Sequence, residues 1–421
     1  MKDYLKFWIK RCVSMVRQLL LFFSAPVNRR GWENRILIVN LDLIGDIVAL
    51  SSVLQYYREA FPGKKLFMLL SRSVHPLFVR DFVDEVIQVD PGAFKSNPWY
   101  GYRFINKMRR IGFWTVIDQN PGTEFIEKSL VVELGAEELI GYQGWSIDFK
   151  EPFSINMALG AAYFEHNLLP RFTKVIPRIN EVPNAPRLRH MIAHYSAIFE
   201  GATGIKKSAY VPHIPKTLES DARVGDLLSA NCIAPNSYAV VSLGTSSIKK
   251  DWPVERFNKV GEWMRSQRIP IILTGSPMDA SRAAVFESAL GGGVFNMVGK
   301  TDISELVSLI RSALLVFSND TALTHIAVAL GKPSLTILGM GHFGRMSLYG
   351  HSEINHWVYR ADASCRCDNM QCMSTVGPTQ PAPCIQSVSV EQVLGELQKL
   401  VTYVQRNGGH PHDAFRIEFS I

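Results

Sequence analysis

The stretch NLDLIGDIVALSSVLQYY, residues 40–57, joins an apolar strand to an apolar helix and places Asp42 and Asp46 at the joint. The preceding residues complete RILIVN, a short apolar run of the kind buried on both faces in a parallel sheet, and the helix is predicted to run through Leu54. Gly45 is read as the residue that permits the tight passage between them. A carboxylate at such a point has two readings. It can accept hydrogen bonds from the free amides of a helix start and offset the helix dipole, or it can face a bound substrate.

Working outward, KLFMLLS, EVIQVD and FWTVIDQNP read as further strands alternating with amphipathic helices. Residues 145–235 carry a weaker, proline-rich pattern, read as a lobe insertion ending in an interdomain linker. A second alternating series then begins: SYAVVSLG, a helix from Pro253, PIILTGS, a helix near 278–289, VFNMVGK, a helix from Ser304, LLVFSND, a helix to Leu330, and PSLTILG. The pattern predicts an α/β chain of two doubly wound, Rossmann-like domains, residues 31–235 and 236–395, facing across a cleft. Ligands of such sheets meet the loops at the carboxyl ends of the strands. Ser389 and Gln392 are spaced as a capping box for a closing helix, which with the tail is assigned to 396–421.

The chain has 421 residues and a formal charge of +7, but residues 1–30 hold seven Lys/Arg against one acid and account for nearly all of it. The remainder is almost neutral, which argues against a nucleic-acid footprint. Within residues 1–30, Leu5, Trp8, Ile9, Cys12, Val16, Leu19, Leu20 and Phe23 share one helical face. Lys10, Arg11 and Arg17 interrupt the run, so it is too charged for a membrane span and lacks the clean apolar centre of a signal peptide. It reads as an amphipathic helix lying in the face of an anionic membrane, which makes the protein peripheral on the cytoplasmic side. The rival is a helix packed on the protein's own surface or on a partner chain.

Of six cysteines, Cys365, Cys367, Cys372 and Cys384 form C-x-C-x4-C-x11-C. In a reducing compartment clustered thiols suit a structural zinc or iron site, with free thiols or a regulatory disulfide as alternatives. Four thiolates would close the coordination shell, making any such metal structural rather than catalytic.

Two loops in the second half follow strands and enter helices. SNDTALTHIAVALGKP places Asn319, Asp320, Thr321 and Thr324 at a helix start, with His325 one turn after Thr321. Free amides there attract phosphate and hydroxyls add hydrogen bonds. LGTSSIKKDWPVERF offers Thr245, Ser246 and Ser247 as donors and Lys249 or Lys250 as positive charge toward a diphosphate. Together, at one end of one sheet, the loops describe a nucleotide-diphosphate pocket. Each also has a bland reading: a capped helix, a solvated lysine, a packed histidine.

LDLIGDIVALSSVL, KKDWPVERF, GKTDISELVSLI and SNDTALTHIAVALGKP, in that order over residues 35–395, resemble the motifs of glycosyltransferase family 9, the lipopolysaccharide heptosyltransferases and their relatives. The resemblance implies a two-domain GT-B fold. It also implies Asp46 as general base on the acceptor hydroxyl and Lys250 balancing the donor diphosphate. Asp320, Thr321 and His325 fall on the donor signature, with Thr245 and Ser246 on the hydroxyl loop. The family's glycine after that threonine is Ala322 here, whose methyl would crowd an approaching phosphate.

Inverting sugar transfer needs a base for the acceptor proton and positive charge or amides for the departing diphosphate. The chain has no D-x-D motif, so a metal-independent mechanism is expected. Asp42 is the alternative base, or binds acceptor hydroxyls or supports the turn; Asp118 lies at a strand end on the acceptor side. The expected activity is transfer from a nucleotide sugar, ADP-heptose by resemblance, to a lipopolysaccharide-core or lipid-linked saccharide. A sugar-nucleotide epimerase and a noncatalytic nucleotide-binding assembly protein are the rivals.

Overall fold

In the computed structural model, RILIVN forms strand β1 (Arg35–Asn40), five of its six residues buried, as its unbroken apolar run requires. The structure describes residues 2–24, 29–122, 125–143, 163–177, 190–340, 347, 349, 353–360, 367–368, 371–372 and 380–407. The chain divides into two units, Met1–Val182 with Ile192–Lys207, and Pro183–Met191 with Ser208–Ile421.

In the first unit β1 is joined by β2 (Lys65–Ser71), β3 (Glu85–Val89), β4 (Thr115–Asp118), β5 (Glu138–Tyr142) and β6 (Lys174–Ile176). All pair in parallel in the order β3-β2-β1-β4-β5-β6. The helices are α1 (Lys2–Phe22), α2 (Ile44–Ala60), α3 (Pro91–Ser96), α4 (Pro98–Ile111), α5 (Phe125–Glu133) and α6 (Met191–Thr203). Three expectations about the opening stretch change. Helix α2 runs six residues past Leu54, and its N-cap position belongs to extended Leu43, so neither aspartate is its N-cap residue. Gly45 is a buried residue of the first helical turn, outside the left-handed region.

Helix α1 meets the first unit through its polar face. Ser14, Arg17 and Leu21 are buried, and Arg17 Nη2 donates to Glu133 Oε1 at 2.9 Å while Arg17 Nε reaches Glu133 Oε2 at 2.5 Å. The guanidinium also lies over the Phe94 ring, 4.1 Å from its centroid. Gly101 of α4 makes room for it: a Cβ there would sit 2.7 Å from Arg17 Cδ. The opposite face is left open, with Trp8, Ile9, Met15, Val16, Leu19, Phe22 and Phe23 all exposed. Helix α1 therefore packs on the chain's own body, as the rival reading has it, but through Ser14, Arg17 and Leu21, which leaves most of the apolar stripe facing outward. Among the described residues, no helix is long and apolar enough to cross a membrane.

The second unit repeats the plan. Strands β7 (Ala239–Ser242), β8 (Ile271–Leu273), β9 (Val294–Asn296), β10 (Leu315–Asn319), β11 (Ser334–Ile337) and β12 (Asn355–Val358) pair in parallel in the order β12-β11-β10-β7-β8-β9. Counted within its own sheet, each unit thus has the 3-2-1-4-5-6 order of a doubly wound domain, reversing at β1/β4 and at β7/β10. Its helices are α7 (Leu218–Ala230), α8 (Val254–Ser266), α9 (Ala280–Leu290), α10 (Ile303–Arg311), α11 (Ala322–Ala329), α12 (Pro383–Gln386) and α13 (Val390–Arg406). The Ser389–Gln392 capping box forms, and α13 is a core helix: Val393, Leu397, Leu400 and Val401 join the cluster around Trp252, Phe257 and Phe317. Trp252 Nε1 donates to the Val388 carbonyl at 3.0 Å, which satisfies the indole where it is buried.

The cysteine cluster is only partly within the described residues. Cys365 lies outside them. Cys367 and Cys372 sit opposite one another in a two-stranded antiparallel hairpin, β13 (Cys367–Asp368) and β14 (Gln371–Cys372), while Cys384 is buried in the core at the first turn of α12. Among the described residues, no three His, Cys, Asp or Glu side chains are grouped to hold a metal.

Candidate functional site

The candidate residues gather, in each unit separately, where the strand order reverses. In the first unit Asn40 ends β1 and bridges the reversal: its Nδ2 donates to the Gln119 carbonyl beyond β4 at 3.2 Å, and its Oδ1 accepts from the Asp42 N–H at 2.9 Å. Asp46 is half-buried in the first turn of α2, where the positive end of the helix dipole favours a carboxylate. Asp42 is half-buried and accepts from Asn120 Nδ2 at 3.2 Å.

Behind Asp42 lies a buried charge cluster. Asp118 is fully buried at the end of β4, and its Oδ2 is 2.6 Å from Lys128 Nζ, which also donates to the Asn120 carbonyl. Glu127 Oε2 accepts from Asn120 Nδ2 at 3.0 Å and from the Leu41 N–H at 3.2 Å, while Oε1 is buried without a hydrogen-bond partner among the described residues. Burial, then the neighbouring Asp118 and Asp42, push the Glu127 carboxyl well above the ordinary glutamate range. Asp118 therefore pairs with Lys128 inside the domain as part of the scaffold beneath Asp42.

In the second unit Asn319 plays the role Asn40 plays in the first. From the end of β10 its Nδ2 donates to the Leu243 carbonyl at 2.8 Å and its Oδ1 accepts from the Trp252 N–H at 3.1 Å, which ties the hydroxyl loop to the strand. Gly244 is required in that loop, since a Cβ there would collide with the Asp279 carboxylate. Thr245 turns inward. Its Oγ1 lies 2.6 Å from both Asp251 Oδ1 and the Ser247 carbonyl and accepts from the Ser247 N–H, so its side chain braces the loop rather than offering a free donor. Arg282 closes the brace on Asp251, whose carboxyl is raised by burial against the lowering pull of Thr245 and Arg282. Ser246 is exposed beside it.

Lys250 projects from a short 3-10 turn, Ile248–Lys250, and its Nζ is 3.2 Å from Asp320 Oδ2. The other Asp320 oxygen lies 4.0 Å from His325 Nε2, and His325 Nδ1 is 2.7 Å from the hydroxyl of buried Tyr349. Thr321 is the N-cap of α11, and its buried Oγ1 has no hydrogen-bond partner among the described residues. Ala322 is the first residue of that helix. Lys250, Asp320, Thr321 and His325 are therefore brought together at one helix start, with a cation, free amides and an unused hydroxyl. That combination suits an anionic diphosphate.

The reading from sequence missed Asn120, Glu127 and Lys128, and it missed Asp251, Arg282 and Tyr349. A signal for the first group was present: Glu127 and Lys128 are charges set in the otherwise apolar stretch FIEKSLVV. The second group had none, because its partners are brought together only by the sheet.

Residues 171–374 match the family model described as glycosyltransferase family 9 (heptosyltransferase). The chain carries a glycosyltransferase family 9 domain. Among curated proteins it is similar to lipooligosaccharide heptosyltransferase 2 of Haemophilus influenzae, 32% identical over 94 residues, which cover 21% of this chain and 27% of that one. The chain thus spans about a quarter of that relative's length in the match. Two solved structures align along nearly all of their own length. A glycosyl transferase of family 9 from Veillonella parvula has a TM-score of 0.64 at 17% identity, covering 89% of this chain and 99% of that one. An Escherichia coli ADP-heptose lipopolysaccharide heptosyltransferase II has 0.62 at 14%, covering 88% and 99%. At these identities the likeness is one of fold, and the two α/β units are those of the GT-B fold.

Proposed function

We propose that this chain is an inverting glycosyltransferase that moves a sugar from a nucleotide donor to a lipopolysaccharide-core or lipid-linked saccharide at the cytoplasmic face of a membrane. The observation that carries it is the cluster of Lys250, Asp320, His325 and the unused Thr321 hydroxyl at the start of α11. The Haemophilus relative and the Escherichia coli structure are both named heptosyltransferases, and the second is named for ADP-heptose, which makes ADP-heptose the first donor to test.

In the proposed reaction the acceptor hydroxyl oxygen attacks the anomeric carbon as the bond from that carbon to the diphosphate oxygen breaks. The hydroxyl proton passes to Asp46, and the electron pair leaves on the nucleoside diphosphate, where Lys250 and the α11 amides offset its charge. Asp42 binds acceptor hydroxyls or supports the turn. No residue of this scheme requires a metal.

Two further elements belong to the proposal. The exposed apolar face of α1 inserts at the surface of an anionic membrane, near a lipid-borne acceptor. The C-x-C-x4-C-x11-C cysteines are the candidates for a structural zinc or iron, with free thiols or a regulatory disulfide as the alternatives; one equivalent of metal in elemental analysis of the purified protein supports the first, and none supports the others.

A thermal-shift panel of ADP, UDP and GDP, followed by turnover of the matching sugar nucleotide with and without lipid-linked saccharide, tests the whole. Stabilisation by ADP and acceptor-dependent release of ADP support heptosyl transfer. Preference for UDP or GDP redirects the donor. Turnover without acceptor favours an epimerase, and binding with no turnover on any acceptor favours an assembly protein.

A further inference from the structure

The outward face of α1 presents apolar side chains, and Arg17, the one basic residue in the second half of the helix, is buried against Glu133. Attraction to anionic headgroups comes mainly from basic side chains within a Debye length of the surface. Those of α1 other than Arg17, namely Lys2, Lys6, Lys10 and Arg11, all lie in its first half. Its second half, which carries most of the exposed apolar residues, therefore brings no basic side chain of its own to the surface. The first unit supplies such charge next to α1. Helix α4, whose Gly101 receives the Arg17 side chain, has the sequence PWYGYRFINKMRRI, with four basic residues and no acid. Arg109 turns inward to the Glu133 carbonyl at 2.9 Å. The other three, Arg103, Lys107 and Arg110, are exposed. With Tyr102, Asn106 and Ile111 they line a shallow groove of about 460 Å³, and no carboxylate among the described residues pairs with them. Trp99, 58% exposed at the start of the same helix, stacks edge-on with Tyr102 and suits the interfacial layer where aromatic rings anchor proteins.

We propose that the α4 groove binds the phosphate-bearing headgroup of an anionic membrane lipid. It rests on the membrane placement of α1 and deepens it: α1 supplies insertion and the charge of its first half, and α4 adds a headgroup site beside the second half. Arg103, Lys107 and Arg110 fall three or four residues apart, so they share one face of the helix. Guanidinium groups suit this role because they bind phosphate oxygens bidentately, and Asn106 and the Tyr102 hydroxyl add neutral donors.

The test is flotation of the full-length protein on vesicles of phosphatidylcholine alone and of phosphatidylcholine with a third phosphatidylglycerol. Each basic side chain near an anionic surface is worth roughly fivefold in partitioning (~1 kcal/mol). R103A/K107A/R110A should therefore lose about a hundredfold of the phosphatidylglycerol-dependent binding while binding to phosphatidylcholine alone is unchanged. V16D/L19D/F23D should lose binding to both vesicles. Thermal melts of both variants close to that of the parent protein establish that they are folded, as expected for exposed positions. If the triple alanine variant keeps its preference for phosphatidylglycerol, the α4 site is overturned and the α1 placement stands. If the aspartate variant still floats on both vesicles, the membrane placement itself fails. Millimolar inorganic phosphate should leave flotation unchanged at constant ionic strength; abolition of the phosphatidylglycerol preference by phosphate would assign the groove to a free phosphate and overturn the lipid proposal.

Discussion

Lys250 Nζ lies 3.2 Å from Asp320 Oδ2, with the carboxylate side chain 4% exposed and the lysine 27% exposed. The pair is asymmetric: the acid is committed to the interior of the second unit, while the ammonium keeps contact with solvent and with any anion that arrives at α11. Removing the lysine strands a buried charge, which costs about 3 to 5 kcal/mol when both partners are buried and less here, roughly 2 kcal/mol, because Lys250 is partly solvated. K250A should lower stability by that amount and turnover by about 10²-fold to 10³-fold, the range for losing one donor to a developing anion. Adding D320N to K250A should restore most of the stability and none of the turnover. Denaturant melts and initial rates on both variants measure the two effects separately, and restored turnover in the double variant would rule out a direct role for Lys250.

Asp46 and Asp42 make a second contrast. Asp46 sits in the first turn of α2, whereas Asp42 is held by the Asn120 amide in front of the buried cluster. D46N removes a base while preserving shape, so turnover should fall by about 10²-fold to 10⁴-fold with nucleotide affinity unchanged. D42N should cost less than about tenfold and act mainly on the acceptor KM. A larger turnover loss in D42N than in D46N would exchange the two assignments.

How far the fold could be read from the chain follows from what each signal depends on. Strands such as Arg35–Asn40 and Lys65–Ser71 were legible because burial on both faces forces a continuous apolar run. Glu138–Tyr142 and Lys174–Ile176 were not, being short strands toward one edge of the sheet, the second of them beside the proline-rich stretch. The apolar stripe of α1 was legible as a stripe, but its direction was set by one buried ion pair, Arg17 with Glu133, separated by 116 residues. The donor-side residues were legible because they are contiguous around a helix start. Thr245 was assigned a free hydroxyl because its partner Asp251 faces it only once the loop closes. Glu127 and Lys128 carry a legible signal that the reading from sequence did not use, since the apolar residues around them indicate burial.

Glu127 gives a prediction about pH. Its carboxyl is raised well above 4.5 by burial, then by Asp118 and Asp42. In the unfolded chain it ionises near 4.5, so above that pH the native state holds a proton that the unfolded state has lost. Stability is therefore highest below the unfolded value and falls as pH rises toward the folded one, by at most about 1.4 kcal/mol per pH unit. E127Q has no proton to lose and can still accept from the Leu41 N–H and Asn120. Urea melts from about pH 5 to about pH 8 should show a smaller decline for E127Q than for the parent protein. Parallel pH profiles for the two would mean that Glu127 is ionised in the native state.

The Arg17–Glu133 pair gives the last prediction. Both side chains are almost completely buried, at 2% and 4% exposure, and they join α1 to the end of α5 with Ser14 and Gln18 as further donors to the carboxylate. Replacing one member leaves the other charge in a poorly solvated site, while replacing both with groups of similar shape removes the penalty. R17M should destabilise the first unit by about 3 kcal/mol or more, and R17M/E133Q should recover a large part of that loss. The variants also separate anchoring from insertion. R17M should release the helix, so that limited trypsin digestion cuts after Arg29 or Arg30 and removes α1 whole while the remainder of the unit stays protected. Flotation on anionic vesicles should then be retained by the released helix and lost by the body once the helix is cleaved from it. A body that still floats after cleavage would assign part of the membrane contact to surfaces other than α1, and R103A/K107A/R110A in the R17M background would show whether that remainder resides on α4.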